Sequence, residues 1–122
     1  GLSAKLFDGW KGSNHEMVKR CAYTLAGMLA MKNQDLPEAW FEERLKEFAN
    51  LQNESNFVKE AMNMALMRIG SRTPGLHKQA LDIALSVGEV VVDYGDNSTY
   101  NFIIFFGQFY NCIAKYILVF WR

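Results

Sequence analysis

Net charge is missing from this sequence: its lysines plus arginines number 13, and its aspartates plus glutamates also number 13. A dedicated nucleic-acid module usually carries a clear basic excess. A neutral chain can bind DNA only by gathering cations on one face while its acids occupy another. Cysteine is scarce. Cys21 and Cys112 lie far apart, which excludes a disulfide framework and a CxxC metal pattern. Cys21 sits among apolar helix positions and is expected as a small buried hydrophobe. Histidine is scarce too: His15 falls in a helix cap and His77 near a helix start. No His, Cys or carboxylate group stands at metal-ligand spacing, so no metal or other cofactor is expected. There is no secretory signal pattern, which makes a cytoplasmic or otherwise intracellular location the default.

What is present is helical periodicity, in a chain whose length suits one small domain with a single core. Ser13-Asn14-His15-Glu16 reads as a capping box. Behind it Met17, Val18, Cys21, Ala22, Leu25, Met28 and Leu29 recur at helical spacing up to Lys32. Asp35-Leu36-Pro37-Glu38 opens a second helix, with Pro37 in the first turn, where a missing amide costs nothing. Phe41, Leu45, Phe48 and Ala49 form its stripe; Glu38, Glu42, Glu43, Lys46 and Glu47 form a solvated acidic surface, and Trp40 is expected in packing. A polar break at 53–57 precedes Val58, Ala61, Met62, Ala65, Leu66 and Ile69. Thr73-Pro74 then caps a helix carrying Leu76, Ala80, Leu81, Ile83, Ala84 and Val87, stopped by Gly88.

Helices are thus expected over 3–10, 14–32, 36–51, 55–71 and 74–87, with antiparallel neighbours because the connections are short. The helices starting near Asn14 and Ser55 are offset by roughly forty residues, the period of a HEAT-like repeat. The fold class is therefore all-α: a HEAT-like array of stacked antiparallel helix pairs, of the right-handed α-α superhelix type. Such arrays usually need about three units, so the domain at 1–96 is expected to be N-terminally incomplete. Val90, Val91 and Val92 read as a short extended segment. Residues 97–122 form a hydrophobic tail. Its stretch Phe102 to Trp121 has about the length of a membrane span, but Gly107, Gln108, Asn111 and Lys115 interrupt it. The favoured readings are a helix packed on the last repeat, an interfacial helix or a non-native tail; a spanning helix is the lesser reading.

The run from Val58 to Arg72, VKEAMNMALMRIGSR, followed by the leucine-alanine helix and by Val90-Val91-Val92-Asp93-Tyr94-Gly95, resembles a motif of bacterial DNA alkylation-repair proteins. These are the AlkD-like DNA glycosylases and their uncharacterised HEAT-like relatives, whose pattern is approximately V-x-x-A-x-N-W-A-L-R-x-I-G-K-R followed by V-D-H-G. Upstream, Trp10 and Lys19-Arg20-Cys21-Ala22 resemble the W…(K/R)-R-x-A element of the same family. The resemblance covers about Leu2 to Asp96. It implies a concave basic face on a DNA duplex. It also implies excision of cationic alkylpurines without a base pocket, with aromatic rings on the deoxyribose and a carboxylate supporting the developing positive charge.

Carried over residue by residue, the resemblance makes Lys19, Arg20, Arg68 and Arg72 phosphate contacts and Trp10 a sugar- or base-stacking ring. The basic residues have alternative roles as solvated, helix-end or ion-paired side chains, and Trp10 as a core ring. Two departures bear on catalysis. The carboxylate element would precede Leu2, leaving Asp8 as an ordinary helix residue and Asp93 as a turn cap, so no catalytic residue is assigned. Met64 replaces the motif tryptophan. The function expected is DNA binding without catalytic competence of this chain alone; the alternative is a helical-repeat scaffold for a protein partner.

Overall fold

The computed structural model describes residues 2–32, 35–88, 90–92 and 102–104. Among these residues five α-helices carry the architecture: α1 (Leu2–Trp10), α2 (Glu16–Lys32), α3 (Glu38–Phe48), α4 (Asn56–Gly70) and α5 (Pro74–Val87). A 3₁₀ turn at Leu51–Asn53 leads into α4. After α5 comes β1 (Val90–Val92), the extended segment expected from the three valines, paired antiparallel with β2 (Phe102–Ile104). Within the expected tail, residues 102–104 are therefore strand and not helix. Residues 105–122, with the span-length stretch they contain, lie outside the described residues, as do Asp93 and Cys112. Among the described residues no helix is long and apolar enough to cross a membrane.

The helices form two layers. α2 and α4 pack side by side, the most extensive contact between elements. They run parallel, since Glu16 near the start of α2 accepts from the Phe57 amide near the start of α4, and Arg72 just beyond α4 donates to Ala30 near the end of α2. The second layer runs α1, α3, α5. Phe7 of α1 meets Trp40 of α3 edge-on at 5.4 Å between ring centroids. Glu42 of α3 accepts from Gln79 of α5. Phe7, Phe41, Leu45, Phe48, Leu51, Ile69 and Leu76 lie between the layers with no exposed surface. Each stabilises the fold by about 1.5–3 kcal/mol relative to exposure.

Helix boundaries follow capping chemistry, with corrections to the sequence reading. Thr73 behaves as expected: its hydroxyl accepts from the Leu76 amide while Pro74 fills the first turn. Gly88 ends α5 at φ 76°, a left-handed geometry that glycine adopts without steric cost. The Ser13 box does not form. Ser13 Oγ accepts from the His15 amide, 3.0 Å, two residues on, and Glu16 turns across to α4. The second helix begins later than expected, with Pro37 at its N-cap in extended geometry. It also ends earlier, at Phe48, because Leu51 turns into the core through the 3₁₀ segment. α4 spans Asn56–Gly70, one residue shorter at each end than the expected 55–71, and includes Phe57 from the edge of the polar break.

Burial corrects the stripe on α2. Cys21 is exposed, not buried, as are Met17 and Met28; the buried residues of α2 are Ala22, Tyr23, Ala26, Gly27, Leu29 and Ala30. Small residues face α4 and the core, because the two helices lie too close for long side chains between them.

Candidate functional site

Close approach of α2 and α4 is set at Gly27. A Cβ there would lie 3.4 Å from Ala65 Cα and 3.1 Å from Arg68 Cδ. The Arg68 stem thus crosses over Gly27 and lies along the surface seam between the helices. A cleft of about 170 Å³, walled by Arg20, Thr24, Glu60, Met64 and Arg68 among others, occupies the middle of this seam. A larger one of about 650 Å³ follows toward the helix C-termini, where Met31, Met64, Met67 and Arg68 contribute to the wall. Met64 and Arg68 belong to both, so the two clefts are continuous.

The five residues singled out by sequence divide into four groups. Arg20 and Arg68 share the seam, and among the described residues neither has an ion-pair partner. Arg20 rests its guanidinium 5.1 Å from the centroid of the Phe57 ring on α4, a contact that orients the cation while leaving its donors free. Lys19 is held by Glu54 through contacts of 2.7 and 2.8 Å, and that pair bridges α2 to the turn before α4. Arg72 lines the larger cleft but spends its donors on backbone: Nη1 reaches Ala30 O at 3.0 Å and Leu29 O at 3.4 Å, and Nη2 reaches Leu36 O at 3.4 Å. Its guanidinium also stacks 4.3 Å from the Phe41 ring centroid. It therefore satisfies carbonyls that the end of α2 leaves without intrahelical partners. Trp10 is half-buried and packed against the hydrophobic core.

One cation that the sequence hid is Arg44. It lies in the helix read as an acidic outer face, yet it is only 4% exposed. Its guanidinium lies 4.8 Å from the ring centroids of both Phe7 and Trp40. Nη2 bonds Glu43 at 3.2 Å, Nη1 stands 4.0 Å from Asp8, and Nε stands 3.5 Å from Glu47 without hydrogen-bond geometry. Glu47 also takes Lys11 at 3.2 Å and the Tyr23 hydroxyl at 3.3 Å. Burial, and then the Glu47 carboxylate beside it, push the Tyr23 phenol well above its ordinary range. Asp8 stands on this α1–α3 side, beside Arg44. The signal that could have found the box is the run Trp40, Phe41, Arg44: three residues within one helical turn whose side chains need a common apolar neighbour.

His15 is exposed and His77 Nδ1 lies 3.2 Å from Gly70 O, so neither histidine belongs to the seam. Among the described residues no group of three His, Cys, Asp or Glu could hold a metal.

No protein-family model matches this chain, and no curated protein matches it. A solved structure does. It is described as "a new family of proteins related to the HEAT-like repeat DNA glycosylases with affinity for branched DNA structures", and it matches with a TM-score of 0.75 at 22% sequence identity. The match covers 93% of this chain and 47% of that one, so this chain spans about half the length of its structural relative. At this identity the likeness establishes the fold: a HEAT-like helical array, with the short β1–β2 pair appended.

Proposed function

We propose that this chain is a DNA-binding HEAT-like domain that meets phosphates along the α2–α4 seam. The observation that carries the reading is the pair Arg20 and Arg68. Both line one continuous surface cleft and, among the described residues, neither has an ion pair, whereas Lys11, Lys19 and Arg44 are matched by acids; Glu60 shares the wall of the smaller cleft. Two arginines against the single glutamate Glu60 make the seam lining locally cationic, which is what phosphate contact requires. The resemblance in the α4 motif and the affinity of the structural relative for branched DNA support the same reading.

The contacts rank by how free each group is. Arg20 and Arg68 are the principal phosphate ligands. Lys19 contributes less, because Glu54 competes for its ammonium. Arg72 places the ends of the helices, and Trp10 packs on the core. No alkylpurine release is expected from the chain. Asp8 stands with Arg44 on the α1–α3 side, Met64 offers no flat ring, and Glu60 shares its cleft with Arg20 and Arg68, whose positive charge offsets it; a developing sugar cation without net carboxylate support loses on the order of a hundredfold or more in rate. The exposed row Met17, Met28 and Met31 on α2 favours the second reading, an apolar surface for a protein partner.

Fluorescence anisotropy separates the two readings. End-labelled linear duplex and four-way junction are titrated with the purified chain across a salt series. DNA binding through phosphates falls steeply with salt, and Arg20→Ala or Arg68→Ala each lowers the slope by about one. Binding indifferent to salt, or to both substitutions, sinks the phosphate reading. A parallel assay for free 7-methylguanine from methylated duplex tests the catalytic statement; release well above a heat-killed control overturns it.

A further inference from the structure

The larger cleft differs in kind from a phosphate strip. Its apolar walls are Ala30, Met31, Met64 and Met67, with two guanidiniums: Arg72, and Arg68 at the edge it shares with the seam. The other polar groups around it are occupied. Ser71 Oγ donates to Met67 O, Thr73 Oγ1 donates to Glu38, and Arg72 holds the carbonyls of α2. The cleft therefore offers thioether and methyl surface and two guanidiniums, of which Arg72 is committed to backbone carbonyls and Arg68 has neither an ion pair nor a hydrogen bond among the described residues.

We propose that this methionine-walled cleft receives a single unstacked nucleobase of a DNA strand whose adjoining phosphate is held by Arg68. The inference rests on the DNA-binding reading and names the substrate class within it: DNA containing unpaired nucleotides. Size and chemistry agree. A cleft of about 650 Å³ lies within the span of ordinary small-ligand sites. Methionine sulfur is polarizable, makes favourable contacts with aromatic rings and adapts to their shape. A nucleobase brings an aromatic face, and its own backbone brings the anion that Arg68 lacks. A base within duplex is stacked on both sides and cannot enter unless it is first extruded, at a cost of a few kcal/mol. A base in a single strand, or at a branch point, has little of that cost. With no free donors or acceptors to read base edges, entry should be tolerant of base identity, as contact-based recognition of single strands is.

The test uses the intact chain and three probes, each fluorescein-labelled at a distal end: a linear duplex, a forked duplex with 2-aminopurine unpaired at the fork, and a fork with 2-aminopurine in its paired arm. Anisotropy reports binding and 2-aminopurine emission reports the environment of the base. The wild type should prefer the fork over the duplex by roughly three- to tenfold, a range set by the strength of sulfur–aromatic contacts. Its emission should change only for the unpaired base. Met64→Trp, which fills the cleft with an indole, should abolish both the preference and the emission change. Met64→Leu, close in volume and apolar, should retain both. Circular dichroism melting of each variant confirms that it is folded; if Met64→Trp is not, Met31→Glu serves, because Met31 is 60% exposed and tolerates a polar head. Equal affinity for fork and duplex, or an unpaired base whose emission ignores binding, overturns the inference while leaving the phosphate reading intact. Failure to bind any of the probes overturns the reading beneath it.

Discussion

Arg44 and Arg68 are the same side chain in opposite situations. On the α1–α3 side, Arg44 is enclosed by the rings of Phe7 and Trp40 and matched by Glu43, Glu47 and Asp8. On the α2–α4 side, Arg68 lies along a seam with no ion pair among the described residues. A charge the protein satisfies internally contributes to the fold; a charge left open at a cleft is, on the reading proposed above, available to a ligand. Because net charge is zero, composition says nothing about this division. It arises from which helix carries acids. α3 brings Glu43 and Glu47 to its own arginine, whereas the seam clefts near Arg68 offer Glu60 among methionines and small residues.

The comparison predicts its own largest effect. Arg44→Ala removes a buried cation and leaves Glu47 facing two aromatic rings' worth of vacated space. The broken pair and the lost packing on the two rings together cost about 3 kcal/mol, toward the low end because Glu47 is a quarter exposed and keeps Lys11 and the Tyr23 hydroxyl. Urea unfolding should show this as a lower midpoint with an unchanged slope, while DNA affinity of the folded fraction stays as it was. A loss under 1 kcal/mol would show that the box is decorative; a loss of affinity at full stability would place Arg44 in the binding face.

Arg72→Ala comes next, and it sharpens the line between the two classes. Arg72 lines the cleft like Arg68 but is committed to the carbonyls of Leu29, Ala30 and Leu36 like Arg44. Hydrogen bonds from a charged group stabilise by about 1.5–3 kcal/mol, so about 2 kcal/mol should be lost, mostly as fraying where α2 ends against α4. Amide hydrogen exchange should quicken at 28–32 before it quickens in α3. Unchanged exchange there, with a large loss of DNA binding, would return Arg72 to the phosphate ligands.

The pH dependence follows from the phenol in the same network. Tyr23 has its ionisation pushed up by burial and by Glu47, so the unfolded chain loses the proton first. Above pH of about 10, the ordinary tyrosine value, the unfolded state therefore binds fewer protons than the folded one, and stability falls as pH rises. Below that range the contribution is fully present. Tyr23→Phe should flatten this alkaline loss relative to wild type in melts taken from pH 8 to 11. Parallel alkaline curves for the two proteins would show that Tyr23 does not ionise on unfolding in that window.

Element order was legible in the sequence because periodicity and caps are local. Thr73-Pro74, Gly88 and the three valines each specify geometry within a few residues, and each appears in the structure as read. What was not legible depended on partners distant in sequence. Cys21 and Met28 fit an apolar period, yet they point outward because alanines and Gly27 take the contact with α4. Glu16 fits a capping box, yet it caps a helix 41 residues on. Arg20 and Arg68 were named from a motif, but only the packing of α2 on α4 places them on one seam. Arg44 went unnoticed because its neighbours Glu42, Glu43 and Glu47 make a convincing solvated surface in one dimension.

The smallest effect on stability is expected at Gly27, and it separates placement from charge. Replacing Gly27 with alanine in mid-helix favours the helix by up to about 1 kcal/mol. Against that, the new methyl lies 3.1 Å from Arg68 Cδ, which belongs to a flexible stem, and 3.4 Å from Ala65 Cα, which is ordinary contact. The stem can yield, so Gly27→Ala should change stability by less than about 1 kcal/mol in either direction. The guanidinium must move with its stem, away from the seam between the two clefts. DNA affinity should therefore fall several-fold while every charge is retained and the melting temperature hardly moves. If affinity holds, the open arginine is not read in the position the seam gives it, and Arg68 acts only as diffuse charge. If instead the protein loses as much stability as Arg44→Ala, the α2–α4 contact has no slack, and the seam is as tightly built as the box on the other side.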